Sequence, residues 1–197
     1  MTNIKICGIW RREDIAYVNE AMPDYIGFVF APSKRQITPD VALELKNALH
    51  PDIQTAGVFV NSPIEDISSL YRHHIIHIAQ LHGNEDTAYI NELKAVTGIP
   101  VIKAIRADSE DAVIAANENP SDYLLFDYGT GGTGKSFPWE FLSHCKRPFF
   151  LAGGINATNI KQAKHYRPFC IDVSSGAETD GCKDKEKILT LVKEAHL

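Results

Sequence analysis

The segment YIGFVFAPSKRQITPDVALELKNALHPDIQTAGVF, residues 25–59, contains one complete strand–helix–strand unit. Its two ends, residues 25–30 and 55–59, are apolar at successive positions. Such runs are typical of strands that are buried on both faces, as parallel strands are. Between them, Thr38 is suited to cap a helix and Pro39 to occupy its first position. The segment therefore predicts two parallel strands joined by a crossover helix.

The same alternation repeats along the rest of the chain. Strands are predicted at residues 3–6, 25–30, 55–59, 75–81, 101–105, 123–126, 149–151 and 170–173. Helical patterns lie between them at residues 38–49, 62–71, 84–98, 108–119, 156–166 and 183–197. The segment 108–119 is the weakest of these, because it is short and rich in alanine and asparagine.

Eight strands with a crossover after each predict a (βα)8 barrel of eight parallel strands, with one shortened or irregular helix after strand five. We expect a single barrel domain over residues 1–197, a length at the short end for this fold. A doubly wound open sheet is the alternative, because local patterns do not show whether a sheet closes. In both architectures ligands bind at the carboxyl ends of the strands.

Composition excludes several classes of protein. The chain has 44% hydrophobic and 23% charged residues and a net charge of −5, without a basic stripe, so we expect no nucleic-acid partner. We also expect no signal peptide, no membrane partner and a cytoplasmic location. The scattered cysteines Cys7, Cys145, Cys170 and Cys182 should be free thiols in that reducing compartment.

The glycine-rich stretch GTGGTGKSF, residues 129–137, has the letters of a nucleotide-binding loop, since residues 129–136 fit G-x-x-x-x-G-K-[ST]. In such a loop Pro138 would fall inside the first turns of the following helix, where it removes a backbone donor. Asp172 is in a position to imitate the downstream magnesium-binding acid, so the motif stays an open alternative. We favour a glycine loop that orders over a bound ligand.

Two strand ends carry groups suited to acid–base chemistry. A side-chain period of two puts Lys5 and Cys7 on one face of strand one, and Asp127 ends strand six. A thiol at a barrel mouth near an ammonium group is able to titrate lower than a free thiol. From the residues alone we favour the other interpretation, that Cys7 is a small core residue and that Lys5 pairs with a carboxylate. Asp127 is either catalytic or a cap of the glycine-rich loop.

The ends of strands seven and eight favour an anion. Gly153 and Gly154 follow strand seven, and Ser174 and Ser175 follow strand eight. Backbone N–H groups at glycines, serine hydroxyls and nearby helix N-termini favour anions, and these two loops form the recurring phosphate site of this barrel. Ordinary turn chemistry is the alternative for the glycines.

Other polar residues give weaker signals. Arg35, in the loop after strand two, is suited to bind a carboxylate through two hydrogen bonds, although most loop arginines are only solvated. His73 and His77 are four apart, which is ligand spacing only on a helix, and a strand is predicted here, so we expect no metal site. His82 ends strand four and is expected to line the pocket.

Taken together, these segments resemble the phosphoribosylanthranilate isomerase family of tryptophan biosynthesis. The resemblance is carried, in order along nearly the whole chain, by KICGI, IGFVFAPSKR, AGVFVN, QLHGNE, LLFD, GGTGKSFPW, LAGGIN and DVSSGAE followed by KD. It implies that residues 129–137 form the family's loop after strand six rather than a nucleotide-binding loop. Trp10 is a departure, because the family more often has a small polar residue there.

The resemblance implies a cofactor-free Amadori rearrangement of N-(5-phosphoribosyl)anthranilate to 1-(2-carboxyphenylamino)-1-deoxyribulose 5-phosphate. Asp127 then corresponds to the general acid, Cys7 to the general base and Arg35 to the residue that holds the anthranilate carboxylate. The substrate-binding residues implied in addition are His82, Asp172, Gly153, Gly154, Ser174 and Ser175.

Two rival functions stay open at this point. The histidine-pathway isomerase of an aminoimidazole carboxamide ribonucleotide performs the same rearrangement with two aspartates, whereas strand one here ends in Cys7. The other rival is a barrel that binds phosphate esters without catalysis. We expect a small-molecule phosphoribosyl substrate in either isomerase, and a monomer or a homodimer.

Overall fold

The computed structural model describes residues 1–127 and 138–197. The predicted glycine-rich loop at residues 129–137, with its nucleotide-loop alternative, lies outside the described residues.

Parallel strands form a closed barrel within the described ranges. The strands are β1 (Asn3–Cys7), β2 (Tyr25–Val29), β3 (Gln54–Phe59), β4 (Ile78–Leu81), β5 (Val101–Arg106), β6 (Tyr123–Asp127), β7 (Phe149–Leu151) and β8 (Cys170–Val173). Each pairs in parallel with its neighbour in sequence, and β1 also pairs with β8, where Lys5 lies opposite Asp172. The (βα)8 prediction is therefore confirmed, and the open-sheet alternative is wrong.

Helices cover the outside of this barrel. They are α1 (Arg12–Ala21), α2 (Pro39–Ala48), α3 (Ile64–Arg72), α4 (Thr87–Thr97), α5 (Glu110–Ala116), α6 (Ile160–Lys164) and α7 (Lys185–His196). The short helix expected after strand five is α5, while the 3-10 helix Trp139–His144 stands after β6. None of the helices in the two described ranges is long and apolar enough to cross a bilayer.

Local sequence signals set the ends of several helices. The Thr38 hydroxyl accepts a hydrogen bond from the backbone N–H of Val41 at 3.3 Å, which caps α2. Gly98 ends α4 in the left-handed conformation, with φ of 68°. These two ends agree with the predicted segments 38–49 and 84–98.

Strand residues alternate between two hydrophobic clusters. Ile4 and Ile6 pack with helix residues in the outer cluster, while inward residues such as Leu125 and Phe150 fill the barrel. Lys5 and Cys7 face the interior, as the period of two predicts. The inner cluster closes the barrel below its carboxyl-terminal mouth, so polar side chains collect above it.

A shortened strand and an additional hairpin differ from the prediction. The strand predicted at 75–81 begins only at Ile78, because His74 turns with φ of 56° and His77 Nδ1 instead bonds Thr55 Oγ1 at 2.8 Å. A small antiparallel hairpin, β9 (Glu178–Thr179) and β10 (Cys182–Lys183), lies between β8 and α7. The hairpin was not predicted, and it brings charged side chains back to the barrel mouth.

Candidate active site

A cavity of about 350 Å³ lies at the carboxyl ends of the barrel strands. It is lined by all nine residues that the sequence singled out for catalysis or binding, which are Cys7, Arg35, His82, Asp127, Gly153, Gly154, Asp172, Ser174 and Ser175. The structure thus brings together side chains from both ends of the chain. Trp10 is not among the described residues that line this cavity; it packs against the outer core, with Arg11 over its ring.

A buried ion pair supports the β1 side of the cavity. Lys5 is 0% exposed, and its Nζ lies 2.9 Å from Oδ1 of Asp172 on β8. Burial acts to lower the pKa of Lys5, but the charges of Asp172 and Cys7 outweigh it and raise that pKa. Lys5 is therefore a fixed cation under the cavity floor, and the expectation that it pairs with a carboxylate is confirmed.

The pKa of the Cys7 thiol is not lowered, in contrast to the hypothesis that the nearby Lys5 suggested. Burial raises the pKa of Cys7, and although the Lys5 cation opposes this effect, the pKa stays above its ordinary value. The hypothesis of a lowered pKa is wrong because desolvation and the Asp172 charge together outweigh the Lys5 and Lys183 cations. Gly27 on β2 leaves room for the thiol, since a Cβ there would lie 2.7 Å from Cys7 Sγ.

His82 and Asp127 face each other across the β4–β6 side of the cavity. His82 Nε2 lies 3.8 Å from Asp127 Oδ2, which is longer than a hydrogen bond. Burial lowers the pKa of His82 although Asp127 opposes it, so the ring is neutral near neutral pH. Gln80 Nε2 lies 3.2 Å from His82 Nδ1, within hydrogen-bond distance, so Gln80 holds the ring on the side away from Asp127.

Arg35 lies at the edge of the cavity and already has a carboxylate partner. Its Nε and Nη2 atoms donate to the two carboxylate oxygens of Glu178 at 2.6 and 2.7 Å. Lys183 Nζ lies 2.6 Å from the same carboxylate. The Arg35 side chain is only 16% exposed, so it is not one of the solvated loop arginines that formed the alternative.

The loops after β7 and β8 close the remaining side. Gly153 and Gly154 both have positive φ, at 90° and 70°, and the Gly154 carbonyl accepts hydrogen bonds from the side chains of Asn156 and Asn159, each at 3.1 Å. Ser175 begins a 3-10 helix of three residues. The asparagine bonds hold the β7 loop in one conformation beside the serines.

Several polar residues at the mouth were missed by sequence reasoning. Gln80 is 2% exposed, and its Oε1 has no hydrogen-bond partner among the described residues. Glu178 and Lys183 are both buried and charged. A single buried Lys or Glu leaves no recognisable pattern in the neighbouring sequence. The signal that could have identified Glu178 and Lys183 is their position shortly after the barrel strand β8.

His73 and His77, which are four residues apart, each make a separate structural hydrogen bond. His73 Nδ1 bonds the Ser69 carbonyl at the end of α3, whereas His77 bonds Thr55 beside β3. In the part of the chain that the structure describes, no group of three or more His, Cys, Asp or Glu residues is arranged to hold a metal ion.

Comparisons with known proteins agree on one family. The family model "N-(5'phosphoribosyl)anthranilate (PRA) isomerase" matches residues 4–194. The N-(5'-phosphoribosyl)anthranilate isomerase of Endomicrobium trichonymphae is 46% identical over 198 residues, with 98% of each chain covered.

Two solved structures show the same barrel. Monomers generated from the dimeric phosphoribosylanthranilate isomerase of Thermotoga maritima give a TM-score of 0.87 at 34% identity, covering 100% of this chain and 99% of theirs. A phosphoribosyl anthranilate isomerase in complex with reduced 1-(o-carboxyphenylamino)-1-deoxyribulose 5-phosphate gives a TM-score of 0.87 at 33% identity, with the same coverage. The chain belongs to the N-(5'-phosphoribosyl)anthranilate isomerase family.

Proposed function

We propose that this protein catalyses the Amadori rearrangement of N-(5-phosphoribosyl)anthranilate in tryptophan biosynthesis, without a metal or other cofactor. The observation that carries the proposal is the single cavity that Cys7 and Asp127 line together. They end β1 and β6, which are three strands apart in the closed order β6–β7–β8–β1, so the two groups approach a small sugar from different sides.

Asp127 acts as the general acid in this proposal. It protonates the ring oxygen of the furanose, and the ring opens to a Schiff base. Cys7 then removes the proton from C2 of the sugar, and the resulting enolamine tautomerises to the ketone. Because burial raises the pKa of Cys7, the thiolate fraction of the free enzyme, and with it kcat/KM, should increase as the pH rises above neutrality.

The remaining cavity residues hold the two ends of the substrate. Arg35 binds the anthranilate carboxylate, and the loops that carry Gly153, Gly154, Ser174 and Ser175 bind the phosphate. His82 and Asp172 line the space between them. The relative that carries a reduced product analogue supports a ligand with both an aromatic acid and a phosphate.

A fluorescence assay tests the proposal directly. The anthranilate substrate fluoresces, and we expect the signal to decay when the purified protein is added with a chelator present and with no nucleotide. Cys7→Ser is the matched control, because it changes one atom of the site. Binding without decay would leave only the non-catalytic barrel, and decay that requires a metal would contradict the cofactor-free mechanism.

The purified protein also serves to test its domain organisation, oligomeric state and substrate class. We propose that residues 1–197 form one domain, that the protein is a monomer or a homodimer, and that it acts in the cytoplasm on a small phosphoribosyl substrate. Turnover of the aminoimidazole ribonucleotide in place of the anthranilate would favour the histidine-pathway rival. Sedimentation at several protein concentrations distinguishes monomer from dimer.

A further inference from the structure

We propose that Glu178 is a positioning residue that aims Arg35 at the substrate carboxylate and so sets the preference for an aromatic acid. The inference rests on the proposed function. Glu178 lies in the β9–β10 hairpin and bonds Arg35, and it is not among the described residues that line the cavity, so its effect on the substrate passes through Arg35.

The geometry leaves one edge of the guanidinium for a ligand. Glu178 takes the edge formed by Nε and Nη2 of Arg35, at 2.6 and 2.7 Å. The side-chain hydrogen bonds of Arg35 to described residues use Nε and Nη2, so these residues leave the edge formed by Nη1 and Nη2 for a second planar carboxylate from the cavity. Arginine carries five N–H donors in a rigid fork, so fixing one edge fixes the direction of the other.

The charges of the cluster are incomplete without a further anion. Glu178 is 8% exposed, and its single carboxylate is shared by Arg35 and by Lys183, whose Nζ lies 2.6 Å away. Burial acts to raise the pKa of Glu178, but the hydrogen bonds from Arg35 and Lys183 outweigh it and keep the group ionised. The exposed Lys34 also places its Nζ 4.0 Å from this carboxylate, so the cations around it exceed its single negative charge, and a substrate carboxylate would offset part of the excess.

The stem of Arg35 is held from the other side as well. Gly8, just after β1, has φ of 81°, and a Cβ at this position would lie 2.4 Å from Arg35 Cδ. Lys183 Nζ also donates to the carbonyl of Ser174, at 3.1 Å, so the hairpin is tied to the loop after β8. Arg35 is thus ordered before substrate arrives, which reduces the entropy lost on binding.

The test compares the inhibition constants of two compounds, measured for the enzyme with the fluorescence assay. One is the reduced product analogue, and the other is the same compound without its carboxyl group. In the wild type, the ratio of their inhibition constants measures how strongly the site selects the carboxylate. In Glu178→Gln we expect this ratio to fall about tenfold or more, equivalent to about 1.4 kcal/mol, while kcat changes far less than KM.

Two further variants separate positioning from folding. Glu178→Gln leaves Lys183 buried without its full partner, so Glu178→Gln/Lys183→Met removes both charges and should show the same loss of selectivity in a stable protein. The matched control is Glu85→Gln/Lys103→Met, which removes another buried pair, with Lys103 Nζ 2.8 Å from Glu85, away from Arg35. We expect the control to keep the wild-type ratio.

Failure of the positioning role of Glu178 and failure of the proposed function give different results in these experiments. A wild type without turnover contradicts the proposed function itself. Wild-type turnover with an unchanged ratio in both Glu178 variants overturns only the positioning role, even where their melting temperatures fall. An equal loss of selectivity in the control pair also overturns it, because the effect would then follow from any buried charge at the mouth.

Discussion

Replacing Lys5 with methionine tests how a buried charge supports the thiol. The side chain becomes one heavy atom shorter and loses the cation that lies 2.9 Å from Asp172, leaving a carboxylate that is itself buried. Removing one partner of a buried ion pair costs about 3–5 kcal/mol. A domain of this size loses about 2–4 °C in melting temperature per kcal/mol, so we expect Lys5→Met to melt roughly 6–20 °C lower.

The thiol should respond in a definite direction. Lys5 opposes the effect of burial on Cys7, whereas Asp172 adds to it, so Lys5→Met should raise the pKa of Cys7 further. Alkylation of the Cys7 peptide, followed by mass spectrometry against pH, should then show its midpoint at higher pH than in the wild type. The free thiol Cys145, which is not among the described residues lining the cavity, serves as the internal reference.

The charge-balanced variant Lys5→Met/Asp172→Asn is the control for this reasoning. It removes both influences on the thiol and leaves no unpaired buried charge, so the midpoint and the melting temperature should both return towards the wild-type values. An alkylation midpoint in Lys5→Met that equals the wild-type midpoint would refute an electrostatic role for Lys5. A melting temperature that also stays unchanged would show that the ion pair contributes nothing to stability.

Three further predictions concern the rest of the site. Cys7→Ser and Asp127→Asn should each lower kcat by about 10²–10⁴-fold with little change in KM, and a near-normal kcat would remove the role assigned to that residue. Arg35→Met should mainly raise KM in the steady-state assay; a fall in kcat at constant KM would contradict carboxylate binding. Gly27→Ala should lower kcat and cost about 1–3 kcal/mol in chemical denaturation, because its Cβ would meet Cys7 Sγ; unchanged values would contradict this tight packing.

Local pattern predicted the barrel strands well. The segments 149–151 and 170–173 coincide with β7 and β8, because apolar runs that are buried on both faces leave little choice of structure. Helix α1 was not predicted, because it lacks a Ser, Thr, Asn or Asp cap before it. Its first turn is closed instead by the buried carboxylate of Asp14, which accepts from the backbone N–H groups of Trp10 and Arg11.

The candidate site was predictable only as far as strand ends identify it. Cys7 and Asp127 follow apolar strands, so their place at the mouth follows from the barrel. The titration of Cys7 was not predictable in the same way, because the direction of its pKa depends on burial as well as on Lys5. The partner of Arg35 was equally hidden, since Glu178 lies in a hairpin that no pattern indicated.

The sequence by itself determined the strands, most of the helices and the residues placed at the barrel mouth, because backbone propensity, capping and side-chain periodicity act over a few residues. Only the tertiary structure decided that the sheet closes, that Lys5 pairs with Asp172 and that Arg35 pairs with Glu178. These pairs join residues 167 and 143 positions apart in the chain. Their charges interact because barrel closure brings β8 and its following hairpin beside β1 and excludes water, and both effects depend on distance in space rather than along the sequence.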